Sequence, residues 1–227
     1  MDELNVMQRI AVWALPVIFA ITVHETAHGW VALRFGDPTA RMLGRLTLNP
    51  IKHIDPIGTI LVPGILLMLG GIIFGWAKPV PITYENLRNP KRDMALVALG
   101  GPLSNLIMAA FWVAIAQLGA WLGGNPGFFL IYMAVAGIFI NIILMVLNLL
   151  PLPPLDGGRV AVGLLPGPAS WQLSRIEPYG FPILVLLLVT GILGQILWPM
   201  VTWFLSLLGG MTGLAPEAFL AVLYSLV

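Results

Sequence analysis

The feature that most constrains this chain is a cluster of ionisable residues, His24-Glu25-Thr26-Ala27-His28, set inside an apolar segment rather than in a loop. Ile10 to Val23 is almost wholly apolar, and Val31-Ala32-Leu33 resumes the pattern beyond the cluster. On a helix, residues i and i+4 share a face, so His24 and His28 direct two imidazoles at one metal ion, with Glu25 beside its open position. A zinc ion held this way lowers the pKa of bound water to about 7, and a neighbouring glutamate takes the proton as that water attacks a carbonyl. The plainer reading is a pair of helix-face histidines with a satisfied glutamate. It fits poorly here, because ionisable groups within a membrane span are costly and mark functional sites.

Composition settles the class. Hydrophobic residues make up 59% of the chain and charged residues 9%, with a mean hydropathy of +0.94, so an all-α polytopic membrane protein is expected. The formal net charge of +1 leaves no basic surface for nucleic acid. With no cysteine, disulfides and thiolate metal sites are excluded, and His and carboxylate remain as zinc ligands. Met1-Asp2-Glu3 lacks a basic n-region and is not read as the start of a cleaved signal peptide. Residues 1–227 are read as one membrane unit, with a core over about 10–160 and C-terminal helices over about 181–227.

The first span, Ile10 to Leu33, is long enough to cross a ~30 Å core. Arg34 to Pro56 is polar and turn-rich, and Arg45-Leu46-Thr47-Leu48 is a weak candidate for a short β-strand. Ile57 to Trp76 is apolar again but is interrupted by Pro63-Gly64 and Gly70-Gly71. After a second polar piece, Ala77 to Asp93, the run Met94 to Leu122 predicts a long helix containing Gly101-Pro102 and Asn105. Its small residues suit close helix packing, and the asparagine suits a bond across helices rather than catalysis. Gly123-Gly124-Asn125-Pro126 makes a tight turn. Phe128 to Leu150 forms the next span, carrying Asn141 and Asn148 in apolar surroundings. Pro151, Pro153 and Pro154 then prevent the helix from continuing, so the backbone unwinds where the chain is still apolar. Asp156, followed by two glycines, is placed either to reach a metal or to cap the next turn. Pro182 to Leu208 reads as a further apolar helix kinked at Pro199, and Pro216 to Val227 as a short terminal one.

The two motifs, His24-Glu25-x-x-His28 and Asn148-x-x-Pro151-x-Pro153-x-x-Asp156-Gly157, together resemble the site-2 protease family of intramembrane zinc metalloproteases. Asn49-Pro50-Ile51-Lys52-His53-Ile54-Asp55-Pro56, Phe74-Gly75-Trp76-Ala77-Lys78-Pro79-Val80-Pro81 and Gly101-Pro102 are similar to its compact bacterial branch, which lacks a PDZ domain. The likeness spans roughly residues 10–160. It implies His24, His28 and Asp156 as ligands of one Zn2+, Glu25 as general base, and Asn148 as an aid to holding substrate or the oxyanion. His53 is the rival third ligand. Asp156 is preferred, because the proline break explains how it arrives at membrane depth.

For both motifs to meet at one ion, the first span and the Phe128 span must run in the same direction. Ile57 to Trp76 is therefore expected to be a re-entrant hairpin, turning at Pro63-Gly64 or Gly70-Gly71 and serving as a gate near the site. Arg34, Arg41, Arg45 and Lys52 on one side of it, and Lys78, Arg88, Lys91 and Arg92 on the other, place both polar pieces on the cytoplasmic face by the positive-inside rule. The expected function is an endopeptidase of the cell membrane that acts on transmembrane segments of other proteins, with its active site toward the cytoplasm. Strand edges around residues 34–56 would hold the substrate extended. The alternative is a membrane metal transporter or metal-binding scaffold using the same His and Asp ligands.

Overall fold

In hydrocarbon every backbone N–H and C=O must be paired within its own segment, so the apolar runs can only be helices. A computed structural model describes residues 4–62, 65 and 75–226. In chain order its helices of eight or more residues are α1 (Val6–Arg34), α2 (Pro90–Leu122), α3 (Gly124–Asn148), α4 (Asp156–Leu164), α5 (Gly167–Ser174), α6 (Glu177–Val189), α7 (Ile192–Gly210) and α8 (Pro216–Leu226). Of these, α1, α2, α3 and α7 are long and apolar enough to cross a membrane, and the pair α5–α6, bent by 62°, would make a fifth span if counted as one. The chain is an all-α polytopic membrane protein.

Local signals set the helix ends. Asn5 and Gln8 exchange side-chain-to-backbone hydrogen bonds in a capping box that starts α1. Pro90 opens α2, and the Asp93 carboxylate accepts from Asn89 N–H at the same end. Between α2 and α3 the chain reverses at Gly123 and Gly124, whose φ angles of +63° and +60° suit glycine. The hairpin closes tightly because Gly127 lies against the Gly119 carbonyl and the Trp112 ring covers Gly137, both positions where a Cβ would collide.

Contacts along the helices fix their directions. Gly119 meets Gly127, Trp112 meets Gly137 and Asn105 meets Asn141, so α2 and α3 are antiparallel. Ala20 and His24 meet Asn105 while His28 meets Val97, so α1 and α2 are antiparallel too. It follows that α1 and α3 are parallel, as closing the site requires. Val12, Trp112, Ile131, Ile138 and Ile142 belong to the main core, which α7 and α8 join through Val201, Leu205 and Phe219.

The two basic pieces lie on one face. Asp37, after α1, accepts from Thr83 N–H (2.7 Å) and the Asn86 amide (3.0 Å), and Arg88 N–H donates to Phe35 O. The expected turn points, Pro63-Gly64 and Gly70-Gly71, lie outside the described residues. The ends of that segment, however, meet: Trp76 N–H donates to Gly58 O (3.0 Å), and the Thr59 hydroxyl donates to Trp76 O (2.9 Å). A segment crossing the hydrocarbon core would hold its ends about 30 Å apart.

Two expectations are corrected. Arg45-Leu46-Thr47-Leu48 bends through Leu46–Leu48 and forms no strand, and no strand occurs among the described residues. Nearby, the extended stretch 77–83 contains Pro79 and Pro81, which have no N–H to give a ladder, and its hydrogen bonds go to side chains and turns instead. Nor is the C-terminal apolar run one helix kinked at Pro199. It breaks at Thr190-Gly191, while Pro182 and Pro199 both lie inside helices. Proline costs one hydrogen bond but keeps a helical φ, whereas Gly191 at φ +75° turns the chain out of the helix.

Candidate metal centre

His24 and His28 lie one turn apart on the buried face of α1, and Asp156 is the first residue of α4, delivered by the proline break after α3. The two Nε2 atoms are 3.1 Å apart, and each is 3.2 Å from Asp156 Oδ2. Among the described residues these three form the one group of His, Cys, Asp or Glu able to hold a metal ion. His53 stands outside it, its Nε2–H donating to Thr47 O (2.9 Å).

The protonation of the triangle follows from its neighbours. Val97 O can only accept, so His28 Nδ1–H donates to it at 2.8 Å. The Asn105 amide nitrogen is committed to Ala20 O and Asn141 Oδ1, so Asn105 turns its oxygen to His24 Nδ1–H at 2.6 Å. Asn141 in turn donates to Gly137 O. Both Nε2 atoms are left as lone pairs, facing each other and a buried carboxylate oxygen that has no hydrogen-bond donor. Three electron pairs converge with no proton between them, an arrangement that needs a cation. Three corners of a tetrahedron with bonds of about 2.0 Å are about 3.3 Å apart, close to the observed edges. The residues therefore fit zinc.

Glycines let the surrounding backbone approach the triangle closely. Gly101 of α2 passes over the imidazoles so closely that a Cβ there would lie 2.5 Å from His24 Cε1 and 2.6 Å from His24 Nε2, and nearer still to His28 Nε2. Gly157 and Gly158 tuck the start of α4 under the backbone of Leu149–Pro153, where any side chain would collide. From outside, Gly180 of α6 seats the helix on the Pro153 carbonyl, and Phe181 meets Trp76 edge to face at 5.6 Å.

Glu25 accepts from Val80 N–H at 2.8 Å through Oε2. Asn148 is the last residue of α3, and its amide donates to Leu144 O (2.9 Å) on its own helix. Sequence reasoning missed three residues around the site, two that bond the motif and one, Asp37, that bonds Thr83 beyond it. The Val97 carbonyl and Asp37 carry no sequence signal, whereas Val80 does, standing between two prolines as the sole N–H donor in its tripeptide. Asp37 is fully buried. Burial pushes its carboxyl up, but side-chain bonds from Asn86 and Thr39 and backbone bonds from Thr83 and Thr39 outweigh this and hold it below the ordinary carboxylate value.

The Bacillus subtilis protein named "Putative zinc metalloprotease YwhC" is 42% identical over 195 residues, covering 82% of this chain and 84% of its own. The chain belongs to this zinc metalloprotease family. "Putative zinc metalloprotease Rip2" of Mycolicibacterium smegmatis is 30% identical over 212 residues, 92% of this chain and 79% of its own. An archaeal relative of the same description, MJ0611 of Methanocaldococcus jannaschii, is 28% identical over 53% of this chain and 59% of its own. No protein-family model and no solved structure matches. Together, the metalloprotease relatives and the His24, His28, Asp156 triangle support one Zn2+ as the cofactor.

Proposed function

We propose that the protein is an intramembrane endopeptidase of the site-2 protease family, in the compact branch without a PDZ domain, hydrolysing peptide bonds in or near transmembrane segments of other membrane proteins. The observation that carries the reading is the triangle of His24, His28 and Asp156 with Glu25 beside it, carried by α1, a helix of membrane-spanning length, and by the short α4 that follows the break after α3. A bound zinc ion would supply a Lewis acid that makes water nucleophilic near neutral pH. His24 and His28 present fixed lone pairs, Asp156 contributes the balancing charge, and Glu25 takes the proton from the attacking water and returns it to the leaving amine. Asn148 is proposed to help hold the substrate or its developing oxyanion, its amide turning from Leu144 O to do so.

A substrate helix hides its carbonyls in its own hydrogen bonds and must unwind before attack. The loop edge of Leu46, Thr47 and Leu48 supports this step, since their N–H groups have no partner among the described residues and Leu48 borders an apolar groove on α1 with Val23, Ala27 and Trp30. An extended peptide could pair with that edge. Eight basic residues in the polar pieces favour the cytoplasmic face of the cell membrane for this side. Purified Glu25→Gln protein should keep its zinc and lose cleavage of a model transmembrane substrate. Cleavage at the wild-type rate by that variant would sink the mechanism.

A further inference from the structure

We infer that the strap Pro79-Val80-Pro81 orients the general base, with the backbone N–H of Val80 acting as a positioning donor to Glu25; this rests on the reading of Glu25 as that base. A glutamate on a helix face has three rotatable torsions and, unrestrained, presents its oxygens in many directions. Here Oε2 accepts from Val80 N–H at 2.8 Å, while Oε1 has no partner among the described residues and is left for proton transfer. Anchoring one oxygen aims the other.

The strap is built for this from its sequence upward. Pro79 and Pro81 have no N–H, so the carboxylate cannot slip to a neighbouring donor. Lys78 and Val80 each precede a proline and are thereby confined to extended backbone. The ends are tied to side chains and turns that the metal centre does not use. Lys78 N–H donates to His53 O (2.9 Å), and the Arg45 guanidinium donates to Lys78 O (3.0 Å) and Pro79 O (3.3 Å). Thr83 N–H donates to Asp37 Oδ2 (2.7 Å). Buried His53 also grips Thr47 O, to which the hydroxyl of Thr26, next to Glu25, donates at 2.8 Å. Underneath, Gly29 shares the Glu25 face of α1 one turn on, and a Cβ there would already stand 3.0 Å from Val80 Cγ1. The glycine lets the strap lie close enough for the bond.

Val80→Pro removes the N–H and turns a ring carbon toward Oε2 while keeping the extended backbone. In purified, zinc-loaded full-length chain acting on a model transmembrane substrate, kcat should fall about 10–100-fold with KM within about twofold and zinc stoichiometry unchanged. Val80→Ala keeps the donor and should lose less than about threefold. An amide-to-ester replacement at the Val80 nitrogen deletes the N–H alone, and it decides the matter if the proline variant does not fold. A wild-type kcat in the proline or ester variant overturns the inference, as does a Val80→Ala defect equal to theirs or loss of zinc along with activity. Glu25→Gln run alongside separates the two layers: if it is dead and the donor-deleted enzyme is fully active, only the role of the strap falls. If Glu25→Gln cleaves normally, both fall.

Discussion

Gly101→Ala separates the metal centre from the fold that carries it. A methyl at this position stands 2.5 Å from His24 Cε1, against the 3.4 Å at which ordinary contact begins, so close to 1 Å of separation has to be made. Metal–ligand distances tolerate only about 0.2 Å. The imidazoles cannot yield on their own, since Nδ1 of His24 is tied to a fully buried asparagine and Nδ1 of His28 to a helix carbonyl. Either α2 withdraws from α1 or a ring tilts off the triangle, and zinc affinity should fall about 100-fold or more, roughly 2.7 kcal/mol. Alanine in a helix interior is, by contrast, favoured over glycine by roughly 0.5–1 kcal/mol. The metal-free variant should therefore unfold modestly below the metal-free wild type, an overpacking cost of about 1–3 kcal/mol being partly offset by that preference, and below Gly194→Ala, whose added methyl meets open space. Competition for zinc against a chelator of known affinity measures the first effect, and thermal unfolding in detergent the second. A Gly101→Ala protein that holds zinc within about threefold of wild type would refute the close passage of α2 over the site.

Two further outcomes test the two basic pieces. Because the Asp37 carboxyl is held below its ordinary value, its contribution to stability is complete above roughly pH 4 and is lost as pH falls through the lowered folded value. Asp37→Asn should be less stable than wild type by on the order of 1–2 kcal/mol at neutral pH, with the gap closing in acid; a gap independent of pH would remove the carboxylate from the account. Single cysteines at the exposed Met42 and Glu85, in a chain with none of its own, should both react with an impermeant thiol reagent from one side of the membrane, the cytoplasmic one in the proposed orientation. Labelling from opposite sides would contradict the Asp37–Thr83 and Gly58–Trp76 bonds.

How much of this was legible beforehand depends on the range of the physics involved. The pairing of His24 with His28 needs only the period of a helix, and the unwinding before Asp156 needs only prolines that cannot continue one. The Asn148-to-Gly158 motif also has a local logic, since Gly157 and Gly158 permit the tight return of α4 beneath the break. Even the parallel course of α1 and α3 was recoverable, as the condition for closing the triangle. Gly191 and Pro199, in contrast, are both chain-breaking residue types, and nothing local says that the glycine turns the chain while the proline stays helical.

What only the tertiary structure decided is who partners whom. Arg45–Leu48 alternates like a short strand in sequence but bends in the folded chain. Whether it becomes a strand depends on the neighbour across from it, and that neighbour carries two prolines and directs its one intervening N–H at Glu25. Asp37 looks like any polar turn residue until Thr83 and Asn86 arrive from the far side of an apolar segment. Gly101 is a helix-weakening residue until α2 lies across two imidazoles. Helix period, proline geometry and the cost of bare backbone in hydrocarbon act within a few residues and can be read along the chain. Hydrogen-bond partners and close approaches are set between segments distant in sequence, and they exist only once the chain has packed.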